Sequence, residues 1–489
     1  MKRRVTIDPI TRLEGHGKIE IFLDKNGDVE NAYFQVPELR GFEKFSEGRM
    51  CEEMPRITPK ICGVCPMAHH MAATKTLDDL YKVEPTYTAR LIRELTYNAF
   101  TFEDHALHFY FLGGPDFVVG PDAPAAERNI LGVIGKVGLE IGGQVIDIRK
   151  RVRNIITTLG GRVIHPVSGL PGGVSRGLTK ENYDEFVQTA ADSVEFAKFS
   201  LQLFSDVVLK NKGYVDLIVG DVYKHETYYM GLVTENNEVD FYDGMVRVVD
   251  PAGKEFAKFK IQDYLKHISE HVEPWSYIKF PFLKKIGWKG FVDGADSGIY
   301  RVAPLARLNA SERMRTSEAQ VAREAMFETL GWPAHNTLAY HWARLVEILQ
   351  AAERMVEILA DPEIMGDDLR NLPTAIPTEG VGVVEAPRGT LIHHYKTDER
   401  GVITQAKLMV ATVHNAAPIC MSVERAARGL IKGGEVNDGL LNMVEMAFRA
   451  YDPCFGCATH SLPGQMPLEV LVKDQDGSSV KRLSQFIRE

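Results

Sequence analysis

Positive charge is in deficit in this sequence: 57 Lys and Arg stand against 66 Asp and Glu, for a formal net charge of -9. That balance excludes the basic surface on which nucleic-acid and anionic-membrane binding depend. Long apolar runs are lacking as well. The nearest, Asn129 to Ile148, is interrupted by Lys136, Glu140 and Asp147, short of the roughly 18 uncharged residues of a membrane span. No signal peptide is expected, because Met1-Lys2-Arg3-Arg4 leads to Asp8, Arg12 and Glu14 instead of an apolar stretch. There is no Gly-x-Gly-x-x-Gly dinucleotide signature, internal repeat or low-complexity segment. Cysteine is scarce, six in 489 residues, which excludes a disulfide-stapled scaffold and fits a reducing cytoplasm. A protein exported alongside a signal-bearing partner would read the same way.

What is present is ordinary in bulk, with 45% hydrophobic and 25% charged residues, and a chain of this length holds about three domains or one large intertwined unit. Four of the six cysteines fall in two Cys-x-x-Cys pairs near opposite ends, Cys62/Cys65 and Cys454/Cys457. Each spacing lets two sulfurs reach one ion from a tight turn, and four thiolates suit a soft metal. A structural zinc site is one reading. Zinc ribbons, however, separate their pairs by about 15–20 residues, because the metal there substitutes for a core. A chain with this much apolar sequence has no such need, so the spacing favours a metal used for chemistry. A disulfide within either pair, or a thioredoxin-like role, is a weaker alternative. Cys51 and Cys420 read as ordinary buried thiols.

Periodicity predicts a mainly helical protein with peripheral β-elements. Lys18 to Leu23 alternates, Asn26-Gly27 is a two-residue turn, and Val29 to Val36 is the returning strand. A short helical stretch covers Arg40 to Phe45, and Pro66 opens a helix to about Lys82. Long amphipathic helices are expected over Thr86 to Leu112, Ala125 to Leu159 and Lys180 to Lys212, with a Gly/Pro-rich loop from Gly160 to Gly177. Tyr228 to Lys260 reads as a β-meander. Helices follow at Ser317 to Leu330, Thr337 to Leu359, Pro418 to Ile431 and Asn437 to Ala450. Strands at Val381 to Glu385 and Val402 to Val410 flank Ala386-Pro387-Arg388-Gly389. The segments divide as 1–60 (N-terminal β-element), 61–225 (first cysteine pair and helical bundle), 226–300 (β-rich insertion), 301–460 (second cysteine pair) and 461–489 (C-terminal extension).

The residues around both pairs, Ile61-Cys62-Gly63-Val64-Cys65-Pro66-Met67-Ala68-His69-His70 and Asp452-Pro453-Cys454-Phe455-Gly456-Cys457-Ala458-Thr459-His460, resemble the nickel-binding motifs of the large subunit of nickel–iron hydrogenases. The resemblance covers most of the chain. It implies a nickel–iron centre, with CO and cyanide on the iron, held by Cys62 and Cys454 as terminal and Cys65 and Cys457 as bridging ligands. Spacing alone supports only four thiolates and one soft metal.

Splitting hydrogen requires a Lewis-acidic metal pair for the hydride and a base for the proton; Cys454 is the base assigned here. The resemblance makes Glu14, in Arg12-Leu13-Glu14-Gly15-His16, the first proton relay. It sets Arg388 over the open coordination position, beside Pro387, held by Asp104 and Asp452. His69, one helical turn beyond Cys65, would hydrogen-bond a bridging sulfur, whereas His70 has no such match and reads as packing. Glu43 and His460 match ligands of a separate magnesium or iron near the C-terminus. Val64 and Leu112 match positions lining a gas passage, and serve equally well as core.

The family is cut after the His that matches His460, once its metals are in place, so Ser461 to Glu489 departs from a mature large subunit. With no cysteines left for an iron–sulfur cluster, electrons would leave through an iron–sulfur small subunit. The motifs look most like cytoplasmic multi-subunit enzymes coupled to heterodisulfide reductase or to a flavin/NAD module. A zinc-stabilised scaffold and a complex I-like quinone-reductase subunit are the alternatives. The latter has lost the cysteine quartet present here.

Overall fold

The computed structural model describes residues 3–460 and, as backbone, 468–473 and 479–485. Four long helices, Tyr87–Leu107, Leu139–Gly160, Lys180–Phe204 and Tyr340–Ala360, pack against one another as the central mass. Their apolar faces belong to one hydrophobic core that runs in sequence from Ile10 to Ala458, so burial draws both ends of the chain inward. No helix among the described residues is long and apolar enough to cross a membrane.

The N-terminal sheet contains the expected hairpin, Lys18–Leu23 with Val29–Gln35. Ile19, Ile21 and Leu23 turn inward, but the turn is wider than the two residues expected: Asp24 N donates to Asp28 O at 2.8 Å across Lys25, Asn26 and Gly27, with Gly27 left-handed at φ 84°. An unexpected edge strand, Arg3–Ile7, pairs with Lys18–Leu23. Its basic residues conceal it in the sequence, because an edge strand has few apolar positions to advertise.

Two boundaries differ from expectation. Ala125 to Leu159 is not one helix: Asn129 caps a short helix, Ile130–Val137, and Gly138, at φ 96°, breaks the chain before Leu139–Gly160 begins. Apolar spacing continues across that break, so periodicity alone does not reveal it. The helix from Lys180 ends at Phe204, is followed by a wider turn over Ser205–Leu209, and Asn211 caps a new helix, Lys212–Val219. The Gly/Pro-rich loop holds only a two-residue strand pair, Gly169–Leu170 with Gly173–Val174.

The expected meander is present as Tyr228–Val233, Met245–Val249 and Glu255–Phe259, joined by Tyr300–Arg301 in parallel. A further sheet has three strands, Glu379–Ala386, Gly389–Thr397 and Ile403–Met409. Its central strand, Gly389–Thr397, was not expected: Gly389 to Tyr395 are all buried, so the inside–outside alternation that marks a half-exposed strand is missing. Because Ala386 pairs with Gly389, Pro387 and Arg388 form the tip of a two-residue hairpin.

The helix Pro66–Tyr81, which follows Cys65, lies along strand Glu379–Ala386. Gly380 permits this approach, since a Cβ there would lie 2.5 Å from Leu80 N, and a Cβ on Gly382 would collide with Thr76 N. The contact ties the first cysteine pair to the Arg388 turn. Gly382→Ala is expected to destabilise the fold by about 1–3 kcal/mol through overpacking, read as a fall in the thermal midpoint; an unchanged midpoint would contradict this packing.

Candidate metal centre

Both cysteine pairs sit in turns whose backbone is held from outside. The first follows the short 3-10 turn Thr58–Ile61, with Val64 N and Cys65 N donating to Cys62 Sγ at 3.2 and 3.4 Å. The second follows the helix Asp438–Arg449. Asp452 takes a left-handed φ of 56°, and Cys454 N donates to Thr412 Oγ1 at 3.0 Å. Arg40 spans the two: its Nη1 donates to Ile61 O at 2.6 Å and Gly456 O at 3.4 Å, while its backbone N donates to Thr459 O at 2.8 Å.

The result is convergence. Cys62 Sγ is 3.4 Å from Cys454 Sγ, Cys65 Sγ is 3.4 Å from Cys457 Sγ, and all four sulfurs lie within 4.8 Å of one another, buried. Thiolate–metal bonds of about 2.3 Å span such a gap, whereas disulfides, with S–S near 2.05 Å, are absent from these pairs. Hydrogen bonds from its three neighbours pull the Cys62 thiol well below its ordinary range; burial drives Cys454 and Cys457 well above theirs. Four buried sulfurs therefore cannot all be anionic without a cation among them, and the donor set fits a metal centre. Cys51 and Cys420 lie outside it. Burial raises both thiols, Cys51 to about 12.

The Glu14 loop reaches this centre through a close backbone approach. Gly15 has φ +88°, and a Cβ there would stand 2.6 Å from Gly456 N. Phe455 N donates to Glu14 O at 3.0 Å, Gly456 N donates to Glu14 Oε2 at 3.1 Å, and Cys454 Sγ is 2.9 Å from the same oxygen. Burial and the charge of Cys62 raise the Glu14 carboxyl, opposed by Cys454, Arg388 and the Gly456 N–H. A carboxyl raised toward neutrality and in contact with a thiol can exchange a proton with it. Behind the loop, Arg12 donates to Leu112 O at 2.9 Å and pairs with Asp116.

Arg388 projects from its hairpin tip between two carboxylates. Its guanidinium lies 3.2 Å from Asp104 and 3.1 Å from Asp452. All three are buried. Burial pushes both carboxyls up, Arg388 opposes that, and the carboxylates with Cys65 and Cys454 hold the guanidinium firmly protonated. Pro387, also buried, accepts from Arg307 Nη2 through its carbonyl at 3.3 Å.

His70 is pinned at both nitrogens, to Pro55 O at 2.7 Å and Gly169 N at 2.8 Å, a packing role. His69 leaves Nε2 without a hydrogen bond among the described residues. So does His460 at both ring nitrogens, although it is buried; burial takes the ring down to about 3. Glu43 N donates to His460 O at 3.3 Å, and Glu43 Oε1 accepts from Leu408 N at 2.9 Å. A buried imidazole with both nitrogens unpartnered among the described residues is free to bind an ion. Val64 packs against the core and Leu112 is half-buried.

Sequence reasoning missed the supports. Arg307 binds Glu347 at 2.6 Å and Glu385 at 2.7 Å, with His105 on Glu347 at 2.9 Å, all fully buried behind the Arg388 hairpin. No local pattern marks these residues. Arg40 offered one signal, its place just before Gly41-Phe42-Glu43.

Comparison with known proteins agrees with this geometry. The nickel-dependent hydrogenase family matches residues 40–129 and 144–460, and a HoxL-like family matches residues 4–39. The matching iron-sulfur subunit of the F420-non-reducing hydrogenase of Archaeoglobus profundus is 50% identical over 99% of this chain and 100% of its own length. The NAD-reducing hydrogenase HoxS subunit beta of Cupriavidus necator is 40% identical over 98% of each. The crystal structure of an H2-reduced NAD+-reducing nickel–iron hydrogenase superposes at a TM-score of 0.88, with 37% identity, over 94% of this chain and 99% of that one. The match runs through both cysteine pairs and the Arg388 turn, and the chain belongs to the nickel-dependent hydrogenase family, of which it is a catalytic large subunit.

Proposed function

We propose that this subunit cleaves H2 reversibly at a nickel–iron centre held by Cys62, Cys65, Cys454 and Cys457, with Cys454 and Glu14 as the route for the proton. The contact between Cys454 Sγ and Glu14 Oε2, 2.9 Å in length, is the observation that carries this reading. When bound, the centre supplies two Lewis-acidic metals, the iron bearing CO and cyanide, across which H2 polarises into hydride and proton. Cys454 Sγ takes the proton and Glu14 Oε2 receives it. The raised Glu14 carboxyl binds that proton closer to neutrality than a free glutamate would, which suits it to hold and release. Arg388 keeps a fixed positive charge over the site without titrating, oriented by Asp104 and Asp452.

His69 tunes a bridging sulfur. Glu43 and His460 hold a magnesium or iron ion, which the two orphaned nitrogens of His460 support. Val64 and Leu112 border the path of the gas. Four of the six cysteines meet at one point, which supports a chain without an iron–sulfur cluster of its own. The two electrons then leave through an iron–sulfur small subunit. The relative named as a subunit of an NAD-reducing hydrogenase is in keeping with an assembly that carries a flavin/NAD module, and the motifs' resemblance keeps a heterodisulfide reductase as the other partner, both in the cytoplasm. Residues 461–489 lie beyond the family match, in keeping with a segment removed by a maturation protease. Within that segment the described backbone is a hairpin, Leu468–Lys473 with Ser479–Gln485.

Elemental analysis with infrared spectroscopy tests the centre: one nickel per chain with at least one iron, and CO and cyanide bands, are expected, and zinc alone would point to a structural scaffold. Glu14→Gln should abolish turnover and hydrogen–deuterium exchange while the metal content stays intact; normal turnover would refute the relay. Arg388→Lys should lower kcat by about 10²-fold or more, because the planar fork to both carboxylates is lost while the charge is kept. An unaltered rate would count against that role. Intact-mass measurement of active protein should end at His460, and activity with the whole extension attached would overturn the maturation reading.

A further inference from the structure

The turn that carries Arg388 is gripped from behind by Arg307, a residue of the short helix Pro304–Ala310. All five N–H groups of the Arg307 guanidinium meet a buried acceptor. Nε and Nη2 donate to the two oxygens of Glu347 at 2.6 Å each, and Nη1 donates to Glu385 Oε2 at 2.7 Å. The other two bonds go to backbone, from Nη1 to Ala386 O at 2.9 Å and from Nη2 to Pro387 O at 3.3 Å. Those are the two carbonyls immediately ahead of Arg388. Glu385 adds a second hold: its Oε1 accepts from the hydroxyl of Thr390, its partner across the hairpin, at 2.7 Å and from Leu232 N at 3.0 Å, and its carbonyl accepts from the Tyr97 hydroxyl at 2.9 Å.

A peptide unit is planar, so a held carbonyl fixes the plane to which it belongs. The carbonyls of Ala386 and Pro387 lie in the planes on either side of the Pro387 Cα. The proline ring fixes φ at that atom and the two bonds to Arg307 fix ψ, which sets the point from which Arg388 leaves the turn. Just beyond, Gly389 has φ +124°, and a Cβ there would run into Val302, so the turn is pressed onto the segment that leads into the Arg307 helix. An ion pair kept for stability alone needs neither carbonyl, and apolar residues of similar volume stabilise a core as well or better. A planar fork reaches two carboxylates and two carbonyls together; the point charge of a lysine does not.

We infer that Arg307 is a positioning residue for the hydrogenase reaction: by gripping Ala386 O and Pro387 O, with Glu385 tying the two strands together beneath, it fixes the direction in which Arg388 reaches between Asp104 and Asp452. No hydrogen bond among the described residues joins Arg307 to a sulfur or to the Arg388 side chain, so its action passes through the backbone of the turn. This rests on the proposed role of Arg388 over the site.

The test uses the purified hydrogenase complex. Arg307→Lys keeps a charge and loses the fork; with nickel content unchanged, kcat should fall by about 10²-fold, as for a misplacement of about 1 Å. In the Arg388→Lys background the same change should lower kcat by less than about 2-fold, because the side chain it positions is already altered. Peptide hydrogen exchange, read by mass spectrometry, is independent of turnover: amides of Arg388 to Leu391 should exchange faster in Arg307→Lys, and those of the helix Lys180–Phe204 at the wild-type rate. Losses that multiply in the double variant, loss of nickel, or exchange that is unchanged at the hairpin or raised everywhere would overturn the inference. If Arg307→Lys does not fold, Thr390→Val decides, since it takes one hydrogen bond from Glu385 and leaves every charge paired. Faster exchange at the hairpin and a lower kcat, both restored in Thr390→Ser, are expected; wild-type values in Thr390→Val, or equal losses in the two variants, reject the clamp. An unaltered rate in Arg388→Lys alone would remove the role of Arg388 itself, and the exchange data would still report whether Arg307 holds the turn.

Discussion

Four sulfurs brought together out of water set the terms for everything around them. Gathered from opposite ends of the chain and buried within 4.8 Å of one another, they repel as anions and lack solvent as thiols. A positive charge at their centre resolves both. The surrounding charges answer the same demand: Arg388 adds a fixed cation beside the sulfurs, and Asp104 and Asp452 keep it from overcompensating.

Holding the constellation is a matter of close backbone approaches more than of side-chain bulk. Gly15 lets the Glu14 loop touch Gly456, and Gly380 and Gly382 let the helix behind Cys65 lie on the strand that leads into the Arg388 turn. Arg40 then clamps the carbonyls on either side of the cluster. Behind the hairpin, Arg307, Glu347, Glu385 and His105 form a buried ionic group in which each charge has a partner. Such a group contributes little net stability, and removing one member would leave an uncompensated charge. Its place directly behind the Arg388 turn makes rigidity of that turn its use.

Much of the fold was legible because its signals are local. Caps, prolines and apolar spacing located the helices from Pro66, Ser317 and Asn437, and the Asn26-Gly27 turn located the first hairpin. Where the signal was missing, the physics explains it. Gly138 breaks a helix without breaking the apolar pattern. The strand from Gly389 is buried on both faces and does not alternate, so it stood in the sequence without a visible signal.

The four thiolates could be read along the chain, because Cys-x-x-Cys is written in adjacent residues, whereas Glu14, Glu43, Arg388 and His460 stood out only through the resemblance of the motifs around them. Which groups meet is a property of the folded molecule: Glu14 touches Cys454 and not another sulfur, Arg388 lies between Asp104 and Asp452, and Arg307 binds the carbonyls ahead of Arg388. Those contacts join residues up to 440 positions apart, and no local preference encodes such a distance; packing of one shared core does.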